Sequence, residues 1–159
     1  MATYDPQKAA RVWQRVQGEK ENREPPHRED NLQELIMNEW MAAATYLQLA
    51  RKMGQKEAAV LQSLAREEQN HLSCLKGIHT LITGEKCAVR APKIQLGTPE
   101  ATLRRCYGEK MRNLKAYESR TSDPEYGHVF SRLAEQEQEQ CREICEKIGA
   151  KLRVRPFEG

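Results

Sequence analysis

Four glutamates fall on the apolar stripes of four helical patterns in this chain. Glu39 lies between Ile36 and Ala43. Glu68 lies between Ala65 and Leu75, with His71 three residues further on. Glu109 follows Cys106 by three positions. Glu137 lies between Ala134 and Ile144, with Gln140 three residues further on. A carboxylate on a buried face is costly unless it is paired or bound to metal, and four at similar depth repel one another; divalent cations are the remedy. The Glu68-x-x-His71 spacing puts a carboxylate and a ring nitrogen on one helix face, less than a turn apart, where both reach one cation. Carboxylates are hard oxygen ligands that bridge two ions, and imidazole favours iron, manganese or zinc over calcium.

The elements that must position these groups are helices. Apolar residues recur at i, i+3, i+4, i+7 over about Asn31 to Lys52 (Leu32, Leu35, Ile36, Ala43, Tyr46, Leu47, Ala50) and about Gln55 to Thr83 (Leu61, Leu64, Ala65, Leu72, Leu75, Ile78, Ile82). The same spacing recurs over about Pro99 to Arg120 (Leu103, Cys106, Leu114, Tyr117) and Pro124 to Leu152 (Phe130, Leu133, Ala134, Cys141, Ile144, Ile148). Gly54 and Ser122-Asp123-Pro124 make short turns, with Asp123 an expected N-cap. Residues 84–97 are longer, and Thr98-Pro99-Glu100 restarts a helix after them. A 26-residue helix is roughly 39 Å long, and about 13 extended residues reach roughly 43 Å. The link is therefore long enough to run the length of a bundle, as it must when the second and third helices are not up-down neighbours.

The halves also repeat. Glu39 over Glu109 and Glu68 over Glu137 align two helical hairpins, and Leu61, Leu64, Ala65, His71 and Leu75 then match Phe130, Leu133, Ala134, Gln140 and Ile144. Tyr46 follows Glu39 by seven positions, Tyr117 follows Glu109 by eight. Facing hairpins of this kind make a pseudo-twofold carboxylate cluster.

Composition narrows the class. The chain has 159 residues, enough for one domain with its own core, and a formal charge of +3, too balanced for nucleic acid as the main partner. No apolar run is long enough to span a membrane. The five cysteines form no Cys-x-x-Cys pair, which argues against a secreted disulfide framework or a zinc ribbon, and the N-terminus lacks an apolar signal core, so a cytoplasmic location is expected. Three segments are expected: 1–30, a short N-terminal helix (Ala9, Val12, Trp13 and Val16 on one face) with a charged linker; 31–152, the bundle; and 153–159, a tail.

With EWMAAATY, LAREEQNH, CYGEKMRNLKAY and VFSRLAEQEQEQ as its motifs, the region from about Asn31 to Ile148 resembles the ferritin-like superfamily of di-iron and di-manganese carboxylate proteins, its rubrerythrin branch above all. The resemblance implies an all-α ferritin-like four-helix bundle with a long crossover between helices 2 and 3. It implies two iron ions, with manganese as a substitute: Glu39 and Glu109 as terminal ligands, Glu68 and Glu137 as bridges, and His71 capping one ion. Tyr46 and Tyr117 would hydrogen-bond the ligands. The implied activity is that of an oxidoreductase, a peroxidase or ferroxidase acting on hydrogen peroxide, dioxygen or ferrous iron. It would draw electrons from a separate donor protein, since the chain lacks an iron-thiolate domain.

The departure is Gln140, where the resemblance expects a second histidine; an amide oxygen is a weaker, neutral ligand, so the pair of sites is expected to be asymmetric. The competing expectation is a non-enzymatic bundle with a degenerate one-metal or empty site, serving metal handling or protein interaction. Trp13 and Trp40, the latter pointing away from the inner stripe, suggest a protein contact surface and a homodimer.

Overall fold

A computed structural model describes residues 26–149, with side chains from Leu32 to Ile148. The expected N-terminal helix with Trp13 and the tail 153–159 lie outside these residues. Among the described residues the fold is all-helical, without strands. It comprises α1 (Pro26–Ala50), α2 (Gln55–Thr83), α3 (Pro99–Glu118) and α4 (Gly127–Glu143), which continues into a π-helical segment, Ile144–Gly149. None of these helices is long and apolar enough to cross a membrane.

The boundaries follow local chemistry. α1 begins at Pro26, inside the stretch expected to be linker; proline suits the first helical turn, where its missing N–H would have no partner. α2 spans the expected residues and ends at Gly84, whose left-handed φ of 75° a side chain would strain; its N–H bonds the Thr80 carbonyl. Thr98 caps α3 by accepting from the Ala101 N–H at 3.2 Å, with Pro99 in the first turn. α4 starts three residues later than expected. The Asp123 carboxylate instead takes the N–H groups of Glu125 and Tyr126, making a separate turn first. Gly127 then passes so close to the Thr121 carbonyl oxygen that a Cβ would sit 2.3 Å from it.

Two apolar clusters occupy the two ends of the helices. One joins the last part of α1 (Ala42, Tyr46, Leu49, Ala50), the first part of α2 (Leu61, Leu64, Ala65), Leu103 and Cys106 of α3, and Ile144 and Ile148. The other joins Leu32, Leu35 and Ile36 of α1, Leu75 and Ile78 of α2, Leu114 and Tyr117 of α3, and Phe130, Leu133 and Ala134 of α4. Cys87 and Val89 of the link pack on the second cluster, while Arg105, near the start of α3, bonds the Gln95 carbonyl. Leu47 and Ile82, expected on inward stripes, are exposed; the inward position on α1 is Leu49, three residues from Tyr46 and so on its face. Trp40 is half-buried, with the Lys76 ammonium 4.7 Å from its ring centre.

Candidate metal centre

Every helix crosses from one apolar cluster to the other, and each carries its polar residues at the crossing. α1 contributes Glu39, α2 Glu68 and His71, α3 Lys110 and Asn113, α4 Glu137 and Gln140, all buried. This layer is the site.

Glu39, Glu68, His71 and Glu137 each offer a ligand atom within 4.8 Å of the others. Three of the oxygen and nitrogen atoms in that set have no hydrogen-bond partner among the described residues: Glu39 Oε2, Glu68 Oε2 and His71 Nδ1. The histidine is oriented from outside. Its Nε2 lies 2.7 Å from the Gln136 Oε1, a carbonyl that can only accept, so Nε2 carries a proton. Nδ1 is then the atom that faces inward, 3.3 Å from a Glu137 oxygen and 3.6 Å from a Glu39 oxygen. A lone pair facing carboxylate oxygens at that distance is repulsive unless a proton or a cation lies between them. The other oxygen of Glu39 accepts from the Tyr117 hydroxyl at 2.6 Å and from Asn113 at 3.4 Å, and Asn113 in turn accepts from Asn38.

Lys110 occupies the other side of the layer. The residue is 1 % exposed, and its ammonium donates to Glu68 at 2.6 Å, to the two Glu137 oxygens at 3.2 and 3.4 Å and to the Gln140 carbonyl oxygen. Gln140 is itself held by its amide, which donates to Glu67 at 2.7 Å. The Tyr46 ring lies 5.8 Å from the same ammonium.

The electrostatics follow from burial and from these contacts. Burial pushes the Glu68 carboxyl well up, against the opposing charge of Lys110, and Glu137 is raised for the same reason. Burial alone would raise Glu39 too, but the close approach of Glu68 and His71 and the Lys110 charge outweigh it and hold Glu39 below the usual carboxylate range. Burial disfavours the charged form of His71, yet its contacts with Glu137 and Glu39 reverse the balance and push it up to about 10. Burial likewise opposes charge on Lys110; the surrounding Glu137, Glu68 and Glu39 overcome it and keep the ammonium charged. Burial raises the phenols of Tyr46 and Tyr117 well above their ordinary range.

Of the residues expected from sequence, the structure brings Glu39, Glu68, His71 and Glu137 together. It does not bring Glu109 to them. Glu109 is half-exposed, and the inward position on α3 is its neighbour Lys110. The reason is helical register: Leu103, Cys106, Lys110, Asn113, Leu114 and Tyr117 make one buried stripe, and one residue's step turns a side chain about 100° away from it. Gln140 is in the layer, but its carbonyl faces Lys110. Tyr117 does bond a ligand carboxylate, whereas the Tyr46 hydroxyl has no partner among the described residues. Sequence reasoning missed Lys110, Asn113 and Gln136. The unequal tyrosine spacing carried the missing signal: counted from Lys110, Tyr117 follows by seven positions, as Tyr46 follows Glu39.

The donors of the cluster suit a divalent transition ion: three carboxylates, an imidazole nitrogen turned inward, and, among the described residues, three atoms without a hydrogen-bond partner. A groove of about 590 Å³ lined by Asn70, Cys74, His128, Arg132 and Gln136 reaches His71 from the surface between α2 and α4. All five cysteines are free. Burial pushes the thiols of Cys106 and Cys141 up to about 12 and about 11, which keeps them protonated and weakly nucleophilic. Compared with protein-family models, curated proteins and solved structures, the chain has no match.

Proposed function

We propose that this protein is a metal-binding four-helix bundle of ferritin-like type, holding iron or manganese at Glu39, Glu68, His71 and Glu137. The observation that carries the reading is the convergence of three unpartnered, buried ligand atoms from three different residues on one place. Such atoms face one another only with a proton or a cation between them, and in this reading that place holds a metal ion. The arrangement of the apolar clusters supports the ferritin-like part. α2 and α3 both begin in one cluster and both end in the other, so a long connection between them has to run back along the bundle.

Bound there, a redox-active ion supplies one-electron chemistry toward peroxide, dioxygen or ferrous iron. The residues of the chain orient and insulate it. Tyr117 and Asn113 fix Glu39, Gln136 sets the tautomer of His71, and the groove at His71 admits small reactants while the apolar clusters exclude bulk water. With peroxide or dioxygen alone as the reactant, the electrons would come from a separate donor protein; with ferrous iron as substrate, they would come from the iron.

A second reading is favoured by one observation. The Lys110 ammonium already binds two of the acids, so the bundle could be held together by internal charge pairing alone, as a non-enzymatic scaffold. Metal analysis separates the two. Protein purified without chelator, or reconstituted anaerobically with Fe(II) or Mn(II), is expected to retain the ion through gel filtration, and His71→Ala to lose it. Retention is expected to weaken as pH falls, because the ion must displace a His71 proton that the neighbouring carboxylates hold. Wild-type protein that retains neither metal would overturn the metal reading and leave the scaffold.

A further inference from the structure

We infer that the Lys110 side chain is a built-in second cation, so that the centre takes one metal ion beside a tethered ammonium rather than two metal ions. The inference rests on the metal reading above and concerns the number and position of the ions.

The contacts divide the layer into two cation places. Glu68 gives one oxygen to Lys110 and leaves the other unpartnered toward His71 and Glu39. Glu137 lies between the two places: its oxygens are 3.2 and 3.4 Å from the Lys110 nitrogen, and the more distant one also lies 3.3 Å from His71 Nδ1. Both carboxylates thus bridge the ammonium and the place where the ligand atoms of Glu39 and His71 converge. Each place also has its own terminal groups. On the first side these are Glu39 and His71. On the second side there is Gln140, and it is an acceptor.

That chemistry explains the glutamine. An ammonium has three hydrogens and needs three acceptors; Glu68, Glu137 and the Gln140 carbonyl supply them. A neutral histidine oriented as a metal ligand suits a cation with empty coordination positions, while an amide oxygen suits an N–H donor. The amide is also aimed, since its nitrogen is tied to Glu67. Lys110 and Gln140 are therefore one substitution in physical terms: a lysine in the second cation place and the acceptor it requires.

Charge closes the argument. With the ligands deprotonated, as metal binding requires, three buried carboxylates against one ammonium leave two negative charges, which a single divalent ion neutralises. A second divalent ion would have to sit against the ammonium, within the reach of ligands that already serve it, and would leave the buried layer with a net positive charge.

The experiment is metal titration of the wild-type chain and of K110E/Q140H, with two readouts: ions bound per chain by elemental analysis, and the Mn(II) electron paramagnetic resonance spectrum. The wild type is expected to bind one ion with an uncoupled spectrum. The double variant, which places a fourth carboxylate and a second imidazole where the ammonium lies, is expected to bind two ions with exchange coupling. Two coupled ions in the wild type would overturn this inference and leave the metal reading standing. No retained ion in the wild type would overturn that reading and this inference together. A folded double variant that still binds only one ion would overturn the role of Lys110. The wild-type measurement decides the count even where the double variant fails to fold.

Discussion

The two helix pairs share one framework and carry different charges at its centre. In α1 and α2 the inward polar residues of the central layer are Glu39, Glu68 and His71; in α3 and α4 they are Lys110, Asn113, Glu137 and Gln140. Tyr46 and Tyr117 stand seven residues after the first member of each set. The first pair presents ligand atoms without partners, and the second presents a cation with all its hydrogens used. Apolar stripes at both ends leave little freedom, because each must fill its side of a shared core. The polar layer answers to a looser condition, since only its summed charge and its hydrogen bonds must balance. A position can therefore change sign in one half if a neighbour changes to match.

The contrast breaks most sharply at Lys110. Lys110→Met keeps the volume and removes the charge, which leaves Glu68, Glu137 and the Gln140 carbonyl without their donor in the core. Metal-free protein is expected to lose about 3–5 kcal/mol of stability in urea unfolding, the scale of a buried ion pair deprived of one partner. A loss under about 1 kcal/mol would mean that the ammonium is not what holds the second half.

The next test sets His71 against Gln140, the paired positions of the two halves. His71→Ala is expected to weaken metal binding by more than about a hundredfold, since outer partners of metal ligands alone are worth about 10–100-fold. Gln140→Ala is expected to weaken it by less than about tenfold, because its oxygen serves Lys110. Equal losses, measured by competition with a chromophoric chelator, would erase the distinction between the halves.

The smallest effects separate the tyrosines. Tyr117→Phe removes a 2.6 Å hydrogen bond to the Glu39 carboxylate and is expected to cost about 1.5–3 kcal/mol. Tyr46→Phe removes a buried hydroxyl with no partner among the described residues, so stability should hold within about 0.5 kcal/mol or rise. Thermal unfolding of the two variants side by side measures the difference, and equal destabilisation would show that the Tyr46 hydroxyl is satisfied in solution.

Much of this was legible in the residues. The span of α2, the capped start of α3 and the Glu68-x-x-His71 pair follow from periodicity and capping chemistry, which are local. Glu39 and Glu137 follow because each interrupts an apolar stripe that is regular on both sides. Glu109 misled because α3 offers fewer apolar markers around its centre. Glu109 lies three residues after Cys106 and Lys110 four, both allowed spacings on one helix face. A lysine is also a poor candidate for a core on composition alone, being almost never fully buried without partners.

By itself the sequence determined four amphipathic helices, their short and long connections, and the presence of buried acid at their middle. Those features depend on neighbours within a turn or two along the chain. Only the tertiary structure decided which residue of the Glu109–Lys110 pair faces inward, and that Gln140 serves an ammonium. Both outcomes depend on charges arriving from other helices, Glu68 from α2 and Glu137 from α4, whose distance to Lys110 no local pattern encodes.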